Sequence, residues 1–210
     1  AVAADVVERV ARSLPDTSRL TAIGVAVPGL VHSPESTVQL APNLDWHDVK
    51  IGELLSAATG LPVYAANDAN AGAIAEHLFG RHHGADHLIY VNGGTTGIGA
   101  GFVVAGGLLQ GVAGYAGELG HTFVGGAERC HCGSTGCLET EVTQAPLARL
   151  IAELDGVEPG DAQPCPTDAE RDVLNRQARS LAIALGNAIN MLNPRLIVLG
   201  GFLRAFPAYA

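Results

Sequence analysis

An α/β fold is what this sequence predicts, on three observations. Short, continuous apolar runs alternate with longer stretches whose apolar residues recur at helical spacing. The short runs are apolar on both faces, as strands covered by helices must be. Glycine or proline stands at most of the junctions between them.

The elements follow in order. Residues 2–14 carry apolar side chains at helical spacing and stop at Pro15. The run 20–27 (LTAIGVAV) is a buried strand that ends in a tight turn at Pro28-Gly29. Residues 51–60 form a helix with Gly60 just past its end, and 61–66 (LPVYAA) a strand. Asn67 caps a helix from Asp68 to Phe79, which Gly80 breaks. Two strands, 87–92 and 98–106, flank the turn Gly93-Gly94-Thr95-Thr96-Gly97. A helix near 143–154 precedes a Pro/Gly-rich loop, 155–166. Thr167 and Glu170 then make a capping box for a helix running to Leu192. Its inner face is expected at Ala178, Leu181, Ala182, Leu185, Ile189 and Leu192. Pro194 stops that helix, and LIVLGG (196–201) is the last strand. LRAFPAYA follows with no element expected to pack on it. We read no internal repeat.

The length of 210 residues allows one sizeable core or two small lobes. A net charge of −9, with only 12 scattered Lys and Arg, argues against nucleic-acid binding by this piece alone. No apolar run approaches the roughly 18–20 residues that span a bilayer. Four cysteines do not make a disulfide framework in a chain this long; three crowd into eight residues, which favours a metal site in a reducing cytoplasm. Residue 1 is Ala, no signal-peptide pattern follows it, and the reading expected is a fragment incomplete at both ends.

The stretch 116–139, AGELGHTFVGGAERCHCGSTGCLE, carries the strongest chemical signal. His121, Cys130, Cys132 and Cys137 supply three soft sulfurs and one imidazole, a full tetrahedral set for zinc. Gly133 and Gly136 let the loop fold back. His131 is an alternative to His121, and Cys165 stays outside the set. Four protein ligands leave no open position for water, so the expected zinc is structural. Buried free thiols without a metal are the plainer alternative. Glu118 and Glu139 flank the loop as candidates for sugar hydroxyls, against the plainer reading of surface charge. Asn67 and Asp68 lie where a strand meets a helix, the usual ligand position in open α/β sheets; Asp68 is a candidate general base, against a capping role alone. The turn through Thr95, Thr96 and Gly97 can offer backbone N–H groups to a phosphate, but it lacks the Lys of a P-loop and the helix of a dinucleotide fingerprint.

The blocks GVAVPGLV, APNLDW, LPVYAANDANAGAIAEHLFG, GGTTGIGAG, GYAGELGHTFV, CHCGSTGCLETE and NPRLIVLGG, in this order, resemble the ROK family of bacterial repressors and sugar kinases. The resemblance covers most of the chain. It implies the sugar-kinase/actin-like ATPase (ribonuclease H-like) fold of two α/β lobes, with residues 1–210 as the sugar-binding region and 121–137 as its zinc loop. It implies that Asn67, Asp68, Glu118, His121 and Glu139 contact a hexose or hexosamine. Asp68 matches the kinases' catalytic base, and His121, Cys130, Cys132 and Cys137 match the zinc ligands. His121 is then expected to hold zinc with one ring nitrogen and face the sugar with the other. It also implies a homodimer; the cytoplasmic setting and the lack of a membrane segment are expected from the cysteines and the apolar runs above.

Two departures bear on activity. The kinases' N-terminal acidic, Gly-rich phosphate loop is not in this sequence, nor is the regulators' winged helix-turn-helix. The second phosphate loop, Gly-Thr-Gly-Ile-Gly in the family, reads Gly94-Thr95-Thr96-Gly97-Ile98-Gly99 here; a β-branched residue at a position needing positive φ would be strained. CLETEV and LGGFL resemble the regulators more than the kinases. The expected function is the sugar-sensing effector region of a ROK-type regulator, reaching DNA only through an N-terminal domain. The alternatives are an ATP- and Mg2+-dependent hexose kinase, glucokinase-like, and a zinc-stabilised module that binds no sugar.

Overall fold

The alternation of runs resolves into helices α1–α7 and strands β1–β9 among the described residues, 2–13, 20–156 and 165–209 of a computed structural model. Pro15 and residues 157–164 of the Pro/Gly-rich loop lie outside them. The chain divides into two units, Ala1–Ala71 with Gln110–Tyr115, and Gly72–Leu109 with Ala116–Ala210.

In the first unit, α1 is Val2–Ser13, and strands β1 (Ile23–Val27) and β5 (Val63–Asn67) run parallel, with Val25 opposite Ala65. β1 starts at Ile23 rather than residue 20. The helix α2 (Ile51–Thr59) ends as expected at Gly60, whose φ of 73° suits a residue without Cβ. Three short antiparallel strands, β2 (Leu30–His32), β3 (Thr37–Ala41) and β4 (Trp46–Val49), were not expected. Their connections are single 3-10 turns that close on left-handed Ser36 and Asp45, so no Gly marks them. Val27, Val31, Val38, Ala41, Ile51, Leu55 and Ala65 form this unit's core. Ser36 is buried; its hydroxyl donates to Val63 O at 3.1 Å and accepts from Ala65 N–H at 3.0 Å. It satisfies the side of β5 that no strand pairs among the described residues.

The helix α3 (Asp68–Phe79) follows β5 directly. In the second unit the sheet order is β8-β7-β6-β9, from Gly107–Leu108, Ile98–Val104, Leu88–Gly93 and Leu196–Gly201. β6 and β9 are parallel, while β6/β7 and β7/β8 are antiparallel. α4 (Leu138–Glu141), α5 (Ala148–Asp155), α6 (Asp168–Leu192) and α7 (Ala205–Tyr209) complete it. The expected helix over 143–154 is a 3-10 turn, Ala145–Leu147, leading into α5.

The capping box at Thr167 and Glu170 forms. The buried face of α6 partly matches the expected one: Leu181 is buried, and Ala178, Leu185 and Leu192 pack against the core. Its buried residues are Leu174, Gln177, Leu181, Ala184 and Ala188, whereas Ala182 is exposed and Ile189 is 43% exposed. Spacing found the period and the general side of the helix but not the centre of its buried face, because alanines and leucines occur on both sides. The tail is also corrected. Phe202, Leu203, Ala205 and Phe206 are buried in the same core as Leu138, Leu147, Leu150 and Leu181.

Candidate functional site

Two glycines bring the AGELGH segment onto β7. A Cβ at Gly120 would stand 2.0 Å from Ile98 O, and one at Gly117 (φ 103°) 2.9 Å from Ala100 O. Glu118 therefore projects from a stretch pinned at both ends by backbone approach. A 3-10 turn, Leu119–His121, then presents His121. The loop after it closes through Val124 N–H to Gly136 O (2.9 Å), Cys130 N–H to Ser134 O (2.8 Å) and Leu138 N–H to Thr122 O (3.0 Å). Gly133 and Gly136 take φ of 93° and 71°, the left-handed conformations their sequence positions suggested.

This folding gathers the four candidate ligands. One donor atom from each of His121, Cys130, Cys132 and Cys137 lies within 4.8 Å of the others. The Cys132 and Cys137 sulfurs are 3.7 Å apart, and Cys130 Sγ is 3.6 Å from His121 Nδ1. Thiolates at about 2.3 Å from a tetrahedral zinc would stand about 3.8 Å apart, so the donor set fits that ion in identity and in spacing. His131 is the poorer fourth ligand. Its Nδ1 is 3.9 Å from Cys130 Sγ but 3.0 Å from Glu139 Oε1, and its ring meets His121 edge-on. Cys165 lies apart and exposed.

Burial, and then the hydrogen bond to Glu139, push the Cys130 thiol up from its ordinary 9.0 to about 12. Burial also raises Cys137, whereas the backbone hydrogen bond at Ser134 lowers the exposed Cys132. Ligation requires these thiols to lose their protons, so zinc binding here would release protons and weaken as pH falls.

The ring of His121 has two sides. Its Nδ1 faces Cys130, and its Nε2 is 3.7 Å from Glu118 Oε2. Glu139, its side chain only 8% exposed, turns Oε1 to His131 Nδ1 (3.0 Å), His121 Nδ1 (3.5 Å) and Cys130 Sγ (3.0 Å). The structure thus joins Glu118, His121 and Glu139 around one loop in the second unit.

Asn67 and Asp68 belong to the first unit. Asn67 is the N-cap of α3: its Oδ1 accepts from Ala69 N–H (3.0 Å) and Asn70 N–H (3.1 Å), and its Nδ2 donates to Gly29 O (2.9 Å). Its amide is therefore largely committed to the fold. Asp68 is exposed, with Oδ1 accepting from Ala69 N–H at 2.9 Å, which leaves Oδ2 for a ligand. Asn70 was not singled out from the sequence. Its buried Oδ1 has no partner among the described residues, and it lines a cavity of about 110 Å³ with Val31, His32 and Gly114. Its signal was the second Asn three residues after the cap.

Thr95 and Thr96 form the exposed tip of the β6–β7 hairpin, closed by Gly94 N–H to Gly97 O at 2.9 Å. Neither threonine has positive φ; of this tip only Gly97 does. The strain expected at Thr95 is absent, because the glycine carries the unusual backbone. The N–H groups of both threonines have no acceptor among the described residues.

The sequence profile of the ROK family matches residues 3–210. A xylose repressor of Caldicellulosiruptor bescii is 32% identical, over 93% of this chain and 54% of that protein. The crystal structure of a ROK family transcriptional regulator, a homologue of the E. coli MLC protein, superposes with a TM-score of 0.76 at 31% identity, over 98% of this chain and 56% of that one. A ROK family glucokinase from Streptomyces griseus, in complex with glucose and AMPPNP, gives 0.76 at 26% identity, over 98% and 75%. The chain spans about half the length of the first curated relatives it matches. Among the described residues, no helix is long and apolar enough to cross a membrane.

Proposed function

The chain belongs to the ROK family, with the sugar-kinase/actin-like ATPase fold, and from that premise we propose that it is the sugar-sensing effector region of a ROK-type regulator. Its ligand is a hexose or hexosamine, taken by Asn67, Asp68, Glu118, His121 and Glu139. The observation that carries this reading is the two-sided imidazole of His121. One nitrogen faces Cys130 and the other faces Glu118, so a residue fixed by the thiol loop also orients a candidate sugar carboxylate.

His121, Cys130, Cys132 and Cys137 would hold zinc, which supplies rigidity to the loop and no open coordination position. Glu118 and Glu139 then accept sugar hydroxyls from fixed positions, and the free oxygen of Asp68 accepts another. Sugar regulates an attached DNA-binding domain only as far as it prefers one of two conformations of the chain. DNA contact through such a domain, dimerisation and a cytoplasmic setting belong to this reading of the whole protein.

A second reading, the ATP- and Mg2+-dependent hexose kinase, has its own support. The tip formed by Thr95, Thr96 and Gly97 is unstrained, has open N–H groups, and lies against Glu139 through Gly97. In that reading Asp68 takes the proton from the sugar hydroxyl as its oxygen attacks the γ-phosphate.

Calorimetric titration of the zinc-loaded chain with glucose, mannose, N-acetylglucosamine and xylose separates the two. Xylose joins the panel because a relative is a xylose repressor. Sugar heat indifferent to ATP and Mg2+ supports the sensor. ADP formed in the presence of sugar supports the kinase. Absence of heat with every sugar removes both.

A further inference from the structure

We infer that Gly97 is a positioning residue of the sugar site, which keeps the one open oxygen of Glu139 available to ligand. The inference rests on the sugar-binding reading above and assigns a role to a residue of the phosphate hairpin that has nothing to do with phosphate.

The two oxygens of Glu139 are unequal. Oε1 is held by His131 Nδ1 at 3.0 Å; Cys130 Sγ at 3.0 Å and His121 Nδ1 at 3.5 Å also face it, but these two would turn to the zinc in the loaded loop. Oε2 has no partner among the described residues. With a side chain only 8% exposed, Glu139 has one acceptor left for a hydroxyl, and that is Oε2. Oε2 faces Gly97. A Cβ built there would stand 2.4 Å from Oε2 and 3.4 Å from the carboxyl carbon. Contacts that short do not persist, and the far end of a flexible side chain is what yields. A single methyl at residue 97 therefore either rotates the carboxylate away or caps its open oxygen. The metal ligands are a different set, so the thiol loop keeps its donors in both cases.

The general reason for glycine at a hairpin tip is backbone freedom, and the φ of 156° at Gly97 is a conformation that L side chains rarely adopt. The test must separate that effect from the effect on Glu139. A double-mutant cycle does so. Hexose affinity is measured by calorimetry on zinc-loaded wild type, Gly97→Ala, Glu139→Ala and the double variant, with zinc content assayed in each. Gly97→Ala should weaken the sugar that binds wild type by about tenfold or more, the scale of one lost charge-assisted hydrogen bond, with zinc content unchanged. In the Glu139→Ala background the same methyl should add nothing, and Glu139→Asp, one methylene shorter, should restore part of the loss. Equal losses in both backgrounds, or loss of zinc in Gly97→Ala, would overturn the inference. If wild type binds no sugar, the sugar reading itself fails. The crystal structure of zinc-loaded Gly97→Ala then decides the positioning role: a displaced Glu139 carboxylate supports it, and an unmoved one refutes it.

Discussion

Cys132 is the exposed member of the donor set, and Cys130 and Cys137 are buried. Replacing Cys132 by Ser substitutes a hard, protonated oxygen for a soft thiolate. Zinc affinity should drop by orders of magnitude in a competition assay with a colorimetric chelator, whereas Cys165→Ser, outside the cluster, should keep about one zinc per chain. Equal retention by both would remove zinc from the account. The loop was the most legible part of the site, because thiolate chemistry and Gly133 and Gly136 each leave a mark in one dimension. The roles of Asn70 and Gly97 were not legible. A buried amide oxygen and a missing Cβ acquire meaning only from what stands opposite them. Ser36 is a third such residue. Its hydroxyl takes the place of a neighbouring strand beside β5, and nothing in the local sequence TVQLA or HSPES announces it. Ser36→Ala strands a buried Ala65 N–H. It should cost about 1–3 kcal/mol, read as a lower midpoint in urea with an unchanged slope.

At the scale of elements, the α5–α6 corner is held by charge. Arg149 of α5 donates through Nε and Nη2 to the two oxygens of Glu170 at 2.9 and 2.5 Å, and through Nη1 to Glu153 at 2.8 Å. The same Glu170 accepts from the N–H and hydroxyl of Thr167 at 2.8 Å each, closing the capping box. Arg149 first, and Thr167 after it, pull the Glu170 carboxyl from its ordinary 4.5 to about 2. A depressed carboxyl contributes stability that is fully present above the ordinary value and lost as pH falls from 4.5 through about 2. Glu170→Gln should therefore melt below wild type at about pH 7, and the gap should close toward about pH 2. A gap independent of pH would show that packing, not charge, holds the corner. The capping box was legible because Thr and Glu stand at a fixed offset. Its partner Arg149 was not, since it lies 21 residues earlier in sequence. The strands β2 to β4 escaped for a related reason: they are three to five residues long, and their turns are made by Ser36 and Asp45 rather than by glycine.

Over the whole molecule, the order of the longer elements was legible because their apolar runs are continuous and the longer helices have their own stops. The centre of the buried face of α6 and the burial of the tail around Phe202 and Phe206 were not, since both depend on what the second unit packs there. Charge belongs to this scale as well. With 21 Asp and Glu against 12 Lys and Arg, the field around the chain repels a polyanion. Neutralising even a few phosphates needs a cationic surface. One cavity edge in the second unit gathers His82, His83 and Arg195, and none of the three has an ion pair among the described residues. A single arginine is far less than the clustered cationic surface that duplex binding needs. This chain alone should therefore leave duplex DNA unshifted in a gel at about 150 mM salt, whatever sugar is present. Any retardation at lower salt should vanish steeply as salt rises. A shift that survives and is abolished by Arg195→Glu would mean that the effector region itself touches DNA. The division of labour proposed here, with sugar on this chain and DNA on an attached domain, would then have to be abandoned.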